Sequence, residues 1–301
     1  MLPAPPPHPS RLVYLGTPDV AVAPLRALHT AGHDIAMVVS RPDTRRGRRG
    51  HDEPSSVKAA ALELDIPVTD DLDDVLDVGA DLGVVVAYGR IIPQRVLEQL
   101  PMINIHYSLL PRWRGAAPVE RAILAGDDET GVCVMAVEEG LDSGAIFARR
   151  ALEIGAHETA DALRARLTDA GTELLLRLLS EGIGAPEPQA GDPTYAEKLV
   201  PAELELHWAE PAVVLERLVR VGGAWTTFRG RRLKVWTARA HGSTATRAPG
   251  QLDPPFVGTG DGQLELIEVQ AEGKPRRSFD AWCNGVRPDA HERLGGGLDE
   301  P

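Results

Sequence analysis

In the stretch "NIHYSLLPRWRGAAP", residues 104 to 118, an amide and an imidazole stand two positions apart. The apolar run around them, "MINIHYS", reads as a strand, and Asn104, His106 and Ser108 alternate toward its carboxyl end. Period-two geometry puts Asn104 and His106 on one face. Further along, "EEGLDSGAI" offers the carboxylate Asp142 between Gly140 and Gly144, where backbone can fold close to a ligand. A polar pair satisfied by its own surroundings is the bland reading, and for a lone His the better one. An amide, an imidazole and a carboxylate together make a coherent chemical set. The Asn can donate to a developing oxyanion, the His can shuttle a proton, and the Asp can orient the His. No Ser or Cys is placed as a nucleophile, so direct transfer to an incoming nucleophile fits better than a covalent enzyme intermediate. Spacing alone points to acyl-group chemistry and leaves the substrates open.

The elements that must position these residues follow from the apolar pattern. "RLVYLG", "DIAMVVS", "LGVVVAYG" and "MINIHYS" read as buried strands. Helical stretches lie between them: one from about Ala23, one around "SSVKAAALELD", and a short one at "PQRVLEQL". Such alternation predicts an α/β fold with a parallel, doubly wound sheet. Ligands of such sheets bind beyond the carboxyl ends of the strands, where Asn104 and His106 fall. "APVERAILAG" reads as a helix, "TGVCVMAVEE" and "AIFARRALEI" as strands, and "TADALRARLTDAGTELLLRLLSEG" as a long amphipathic helix. The composition then shifts to Gly and Pro over 186–208, expected as a surface linker. A helix at "PAVVLERLVRV" and several short strands complete the chain, a pattern expected of a small OB-like β-barrel. The expected division is 1–10 a disordered Pro-rich tail, 11–185 a Rossmann-like domain, 186–208 the linker and 209–301 the barrel.

Bulk properties exclude several classes. The 301 residues include no apolar run long enough to span a membrane, and "MLPAPPPHPS" lacks the pattern of a secretory signal. Cys133 and Cys283 are far apart, without metal-ligand spacing. A cytoplasmic protein without a disulfide framework is expected. The net charge of −12 falls entirely on residues 1–204, because 205–301 is net neutral. A nucleic-acid partner would therefore use local basic patches. Candidates are "SRPDTRRGRRGHD", "RGRRLK" and "KPRR". No G-x-G-x-x-G follows the first strand, which speaks against hydride transfer with a dinucleotide, and the scattered histidines speak against a metal hydrolase.

"NIHYSLLPRWRGAAP" followed by "TGVCVMAVEEGLDSGAI" resembles the folate-dependent formyltransferase superfamily, and "SLLPRWRGAAP" is similar to its methionyl-tRNA formyltransferase branch. "YLGTPDVAVAPLRAL", "PSSVKAAALELDIPV", "VVAYGRIIP", "TYAEKL" and "LKVW" agree with that likeness, which runs from about residue 11 to about 294. The resemblance implies a Rossmann-like domain, a linker and an OB-like barrel. It implies 10-formyltetrahydrofolate as co-substrate, no metal, and the α-amino group of methionyl initiator tRNA as acceptor. It implies Asn104, His106 and Asp142 as the catalytic trio, with Ser108, Leu109, Leu110 and Pro111 lining the folate pocket. Arg45, Arg46, Arg48 and Arg49 would meet the tRNA acceptor stem, and the enzyme would act as a monomer.

The likeness breaks in three places. His51, Asp52 and Glu53 weaken the field of the arginine loop, and Glu120 stands where the family often has Gln. "APGQLDPPFVGTGDG" leaves little room for the usual strand pair of the barrel. The runner-up acceptor is therefore a small amine, such as an amino sugar nucleotide, formylated from the same donor. A folate- or RNA-binding protein without catalysis would be expected to have lost one of the trio, and none is lost. Glycinamide ribonucleotide formyltransferase would lack the C-terminal third.

Overall fold

Residue burial sorts the strands before their pairing is considered. Arg11–Gly16 (β1), Asp34–Val39 (β2) and Leu82–Val86 (β6) are apolar almost without alternation, as expected of strands covered on both faces. The computed structural model describes residues 2–45, 52–242, 247–289 and 292–296. Contacts divide them into two units. The first holds Met1–Val119, Asp128–Ile154 and Ala162–Glu197, and the second Glu120–Asp127, Gly155–Asp161 and Lys198–Pro301. The expected linker is thus divided, its residues through Glu197 belonging to the first unit.

In the first unit, Val22–Thr30 (α1) follows β1, and Pro24 sits in its first turn, where the missing N–H has no partner to lose. After β2 come the short pair Thr44–Arg45 (β3) and Asp52–Glu53 (β4), joined in antiparallel register. Ser56–Glu63 (α2) is capped by Ser55, whose hydroxyl accepts the Lys58 N–H at 3.0 Å. Val68–Thr69 (β5), then β6, Gln94–Leu97 (α3) and Met102–His106 (β7) continue the chain. Beyond Arg114–Gly115 (β8) and Pro118–Ala125 (α4) lie Glu129–Ala136 (β9) and Ile146–Glu153 (β10). Ala160–Glu181 (α5) and Tyr195–Ala196 (β11) follow.

Seven of these strands form one sheet in the order β10-β9-β7-β6-β1-β2-β5. All neighbours from β5 to β7 pair in parallel, whereas β9 and β10 run antiparallel. The Rossmann-like expectation holds, with an antiparallel edge. β7 is an inner strand: Asn104 faces Val85 on one side and Met135 on the other, and His106 faces Cys133.

The Pro-rich tail departs from its expected disorder. Leu2 packs against a core cluster around Val13, Leu15 and Val96. The Pro7 carbonyl accepts the Ile183 N–H at 2.7 Å, and the Ser10 N–H and hydroxyl both donate to Asp81 at 2.8 Å. Prolines cannot donate, but the Pro7 carbonyl still accepts, and with Leu2 and Ser10 it ties the tail down.

In the second unit, Ala212–Arg220 (α6) packs with Trp225–Phe228 (β12), Arg231–His241 (β13), Leu252–Asp253 (β14), Phe256–Gly258 (β15) and Gln263–Ala271 (β16). Arg277–Ser278 (β17) and Phe279–Val286 (α7) close it. The sheet is antiparallel, in the order β12-β13-β16-β15-β14, with β17 beside β16. The strand pair for which the sequence left little room is present as the short hairpin β14–β15, with Leu252 opposite Val257. This core is mostly Leu, Val and Ala around a small aromatic group: Phe228 meets Trp282 edge-on at 4.8 Å, and Phe279 stacks on Trp282 at 5.3 Å. The buried Glu216 carboxylate is paired on every side, with His157 Nδ1 at 2.7 Å, the Ala240 N–H at 2.9 Å and Arg239 at 3.7 Å. Among the described residues no helix is long and apolar enough to cross a membrane.

Candidate active site

Asn104 and His106 occupy the carboxyl-terminal half of β7 on one face, as their spacing predicts. His106 is 5% exposed. Its Nε2 lies 2.9 Å from the Trp113 carbonyl oxygen, and its Nδ1 lies 3.6 Å from Asp142 Oδ2. A carbonyl only accepts, so Nε2 carries a proton and donates it. Nδ1 then either presents a lone pair to a carboxylate or is itself protonated. The 3.6 Å gap is longer than a hydrogen bond, so an Nδ1 proton can also shift toward a substrate oxygen.

Asp142 comes from the loop between β9 and β10 and is held differently. Its backbone is left-handed, with φ 47°. That conformation costs about 1 kcal/mol even for Asp, one of the residues that tolerates it. Its Oδ2 accepts the Gly115 N–H at 2.8 Å. Gly115 has φ 117°, and a Cβ there would lie 2.9 Å from the Ala196 carbonyl oxygen, so only Gly fits between that oxygen and the carboxylate. Gly144 serves the loop, because a Cβ there would collide with the Ala136 carbonyl oxygen.

The side chain of Gln189 fixes the loop from outside. Its Nε2 donates to the carbonyls of Asp142 and Gly144, each at 2.8 Å. Its Oε1 accepts from Arg114 Nε at 3.1 Å and Nη2 at 2.6 Å. Each neutral bond of this kind contributes about 1 kcal/mol net, enough to offset the left-handed turn. Nearby, Thr194 Oγ1 accepts the Trp113 N–H at 2.9 Å, and Trp113 is itself left-handed at φ 62°. β11 pairs in parallel with β8, Tyr195 opposite Arg114 and Ala196 opposite Gly115. Glu187 exchanges both backbone bonds with Ile146 at 2.8 Å. Neither Gln189 nor Thr194 stands out in the sequence. The only signal is "TYA" after a Gly/Pro-rich stretch, and it gives no geometry.

Residues 108 to 111 form the turn after β7. Ser108 is fully buried and its hydroxyl donates to the Arg112 carbonyl at 2.5 Å, tying the turn. Leu110 packs with Cys133, Met135 and Ile146, while Leu109 and Pro111 are half-buried. Burial pushes the Cys133 thiol up, which suits a packing role. The backbone of Arg45 lies on β3. Arg46, Arg48 and Arg49 lie outside the described residues.

Residues 10–179 match the formyl transferase family, and residues 198–287 match the formyl transferase C-terminal domain. The chain is 42% identical over 292 residues to the methionyl-tRNA formyltransferase of Roseobacter denitrificans, covering 91% of this chain and 95% of that one. With the methionyl-tRNA formyltransferase of Solibacter usitatus the identity is 40% over 308 residues, covering 95% and 99%. Among solved structures, the N-formyltransferase of Helicobacter canadensis, in complex with folinic acid and dTDP-3-aminofucose, matches with a TM-score of 0.65 at 14% identity, covering 87% of this chain and 99% of that one. HypX of Aquifex aeolicus, in complex with tetrahydrofolic acid, matches with a TM-score of 0.66 at 16% identity, covering 95% of this chain and 48% of HypX. The chain therefore spans about half the length of HypX, and at such identities both likenesses show the fold alone. The chain belongs to the formyl transferase family.

Proposed function

We propose that this chain transfers the formyl group of 10-formyltetrahydrofolate to the α-amino group of methionyl initiator tRNA, acting in the cytoplasm as a monomer. The observation that carries this reading is His106 held between the Trp113 carbonyl and Asp142, on the same strand face as Asn104.

The set of groups suits a formyl donor. An amide and an imidazolium are what a developing oxyanion needs, and the turn at Leu109 and Pro111 offers apolar surface beside them. The donor supplies a formyl carbon attached to a nitrogen that can leave. Asn104 and the charged His106 meet the negative charge that grows on the formyl oxygen as the amine nitrogen bonds to the carbon. Asp142 orients His106 and lies close enough to balance its charge. When the bond to the donor nitrogen breaks, that nitrogen takes up a proton and the amine gives one up, so no net proton is consumed. In this reading Ser108 to Pro111 border the folate, and Arg45, Arg46, Arg48 and Arg49 contact the acceptor stem.

The second unit offers local cationic surface to an RNA acceptor, although residues 205–301 are net neutral in total. The Arg232 guanidinium lies 4.0 Å from the ring centre of Trp225. Arg276 and Lys234 lie over Trp236 at 4.3 and 5.9 Å. Trp225 is buried, so the cations over these rings, rather than the Trp225 ring itself, suit a nucleic-acid backbone. The test is a formyl-transfer assay with 10-formyltetrahydrofolate, offering charged initiator methionyl-tRNA and an amino sugar nucleotide in parallel. Transfer to the tRNA alone is expected. Transfer to the small amine alone replaces this reading with the runner-up.

A further inference from the structure

We infer that Gln189 is a positioning residue for Asp142, and that the segment carrying it, 187–196, is a strap across the site. The inference rests on the proposed transfer reaction.

A linker would be expected to contact little, but this segment makes four kinds of attachment within the first unit. Glu187 pairs with Ile146 at the start of β10, Gln189 with the Asp142 loop, Thr194 with Trp113, and Ala196 with Gly115. All four partners are in or next to the loops that hold His106 and Asp142. Gln189 is the one side chain among them that touches both sides of Asp142. Its amide N–H groups hold the carbonyls of Asp142 and Gly144, while its oxygen takes two bonds from Arg114. Arg114 directly precedes Gly115, whose N–H meets the Asp142 carboxylate. One amide thus ties the backbone of Asp142 to the segment that receives its carboxylate. Among the twenty side chains only Gln and Asn donate twice and accept twice from one planar group, and Asn is one methylene shorter. Gln189 touches no reacting atom in this arrangement. Its effect would be on where the carboxylate stands relative to His106, and that separation is already 3.6 Å. A displacement of the order of 1 Å is enough to cost roughly a hundredfold in a positioned reaction.

The experiment compares Gln189→Ala and Gln189→Glu with the wild-type chain, and repeats both in an Asp142→Asn background. Turnover, the Michaelis constants for 10-formyltetrahydrofolate and methionyl-tRNA, and the thermal unfolding midpoint are measured. Gln189→Glu keeps the acceptor for Arg114 but loses both donors, in nearly the same shape. The expected result is a turnover loss of roughly tenfold to a hundredfold in both variants, with both Michaelis constants near wild type. In the Asp142→Asn background the loss should largely vanish, because residues acting through one group do not add. A merely structural role would lower the midpoint and cost the same factor in either background. That result, or wild-type turnover in Gln189→Glu, overturns the inference. If Gln189→Ala does not fold, Gln189→Glu carries the same comparison. A wild-type chain that transfers formyl to neither acceptor overturns the proposed reaction and this inference with it.

Discussion

Asn104 and His106 stand on an inner strand, and Asp142 stands on a loop. The strand pair takes its direction from the sheet, and His106 adds one bond to the Trp113 carbonyl. β7 is flanked by β6 and β9, so backbone ladders on both sides fix where its side chains point. Asp142 has a left-handed backbone and is fixed by groups 27 and 47 positions away in sequence, Gly115 and Gln189. The difference teaches that one site can combine two kinds of precision. One is inherited from the sheet, and the other is built contact by contact.

The strongest way to sharpen this comparison is to remove the chemistry at both ends. His106→Ala and Asp142→Asn should each lower turnover by roughly two or more orders of magnitude. Near-normal turnover in either removes that residue from the trio. The two should differ in stability. His106→Ala leaves a cavity and a Trp113 carbonyl without its donor, so its unfolding midpoint should fall. Asp142→Asn keeps an oxygen for the Gly115 N–H, so its midpoint should stay close to wild type.

A second pair of variants tests the supports rather than the reacting groups. Gly115→Ala places a Cβ against the Ala196 carbonyl and strains a backbone that favours Gly. Moving Gly115 moves the N–H that holds Asp142, so turnover should fall at least roughly tenfold. Cys133→Ala, opposite His106 on β9, removes one buried sulfur. It should cost about 1 kcal/mol of stability, read by denaturant unfolding, and leave turnover near wild type. Equal turnover losses in the two variants would break the distinction between a strand-held and a loop-held group.

What was legible in the sequence follows the same division. The period-two spacing of Asn104 and His106 fixes their common face, because a strand has one repeat and no freedom in it. The glycines around Asp142 mark a loop that folds tightly, and the atoms they make room for are the Ala136 carbonyl and Ser143. Gln189 and Thr194 were not legible. Their partners lie 47 and 81 positions away, and β8 and β11 are two residues each, too short to show a period. The Pro-rich tail misled for a related reason. Composition reports the donors a segment lacks, and the tail is held partly by a carbonyl it offers to Ile183.

The smallest expected effect concerns that tail, a third case: a segment held from outside, like Asp142, but carrying no chemistry. Burial alone would raise the Asp81 carboxyl. The N–H groups of Ser10 and Arg11 and the Ser10 hydroxyl outweigh that, and hold it below the usual carboxylate range. A carboxyl held low in the folded state stabilises the fold wherever it is ionised. That contribution is present in full above the ordinary carboxylate range and is lost as the pH falls through the lowered value. Asp81→Asn should therefore lower the unfolding midpoint at neutral pH by about 1–2 °C, a small shift because the group is near the surface. The gap between variant and wild type should narrow once the pH falls below the unperturbed carboxyl value and close only below the lowered one. Turnover should be unchanged, since the tail's bonds are to Asp81 and Ile183 and to no residue of the trio. A gap that persists undiminished in acid would mean that the carboxylate charge is not what ties the tail. A loss of turnover would mean that distant supports reach the site after all, and that the separation between chemistry and scaffolding drawn from Asn104, His106 and Asp142 is too sharp.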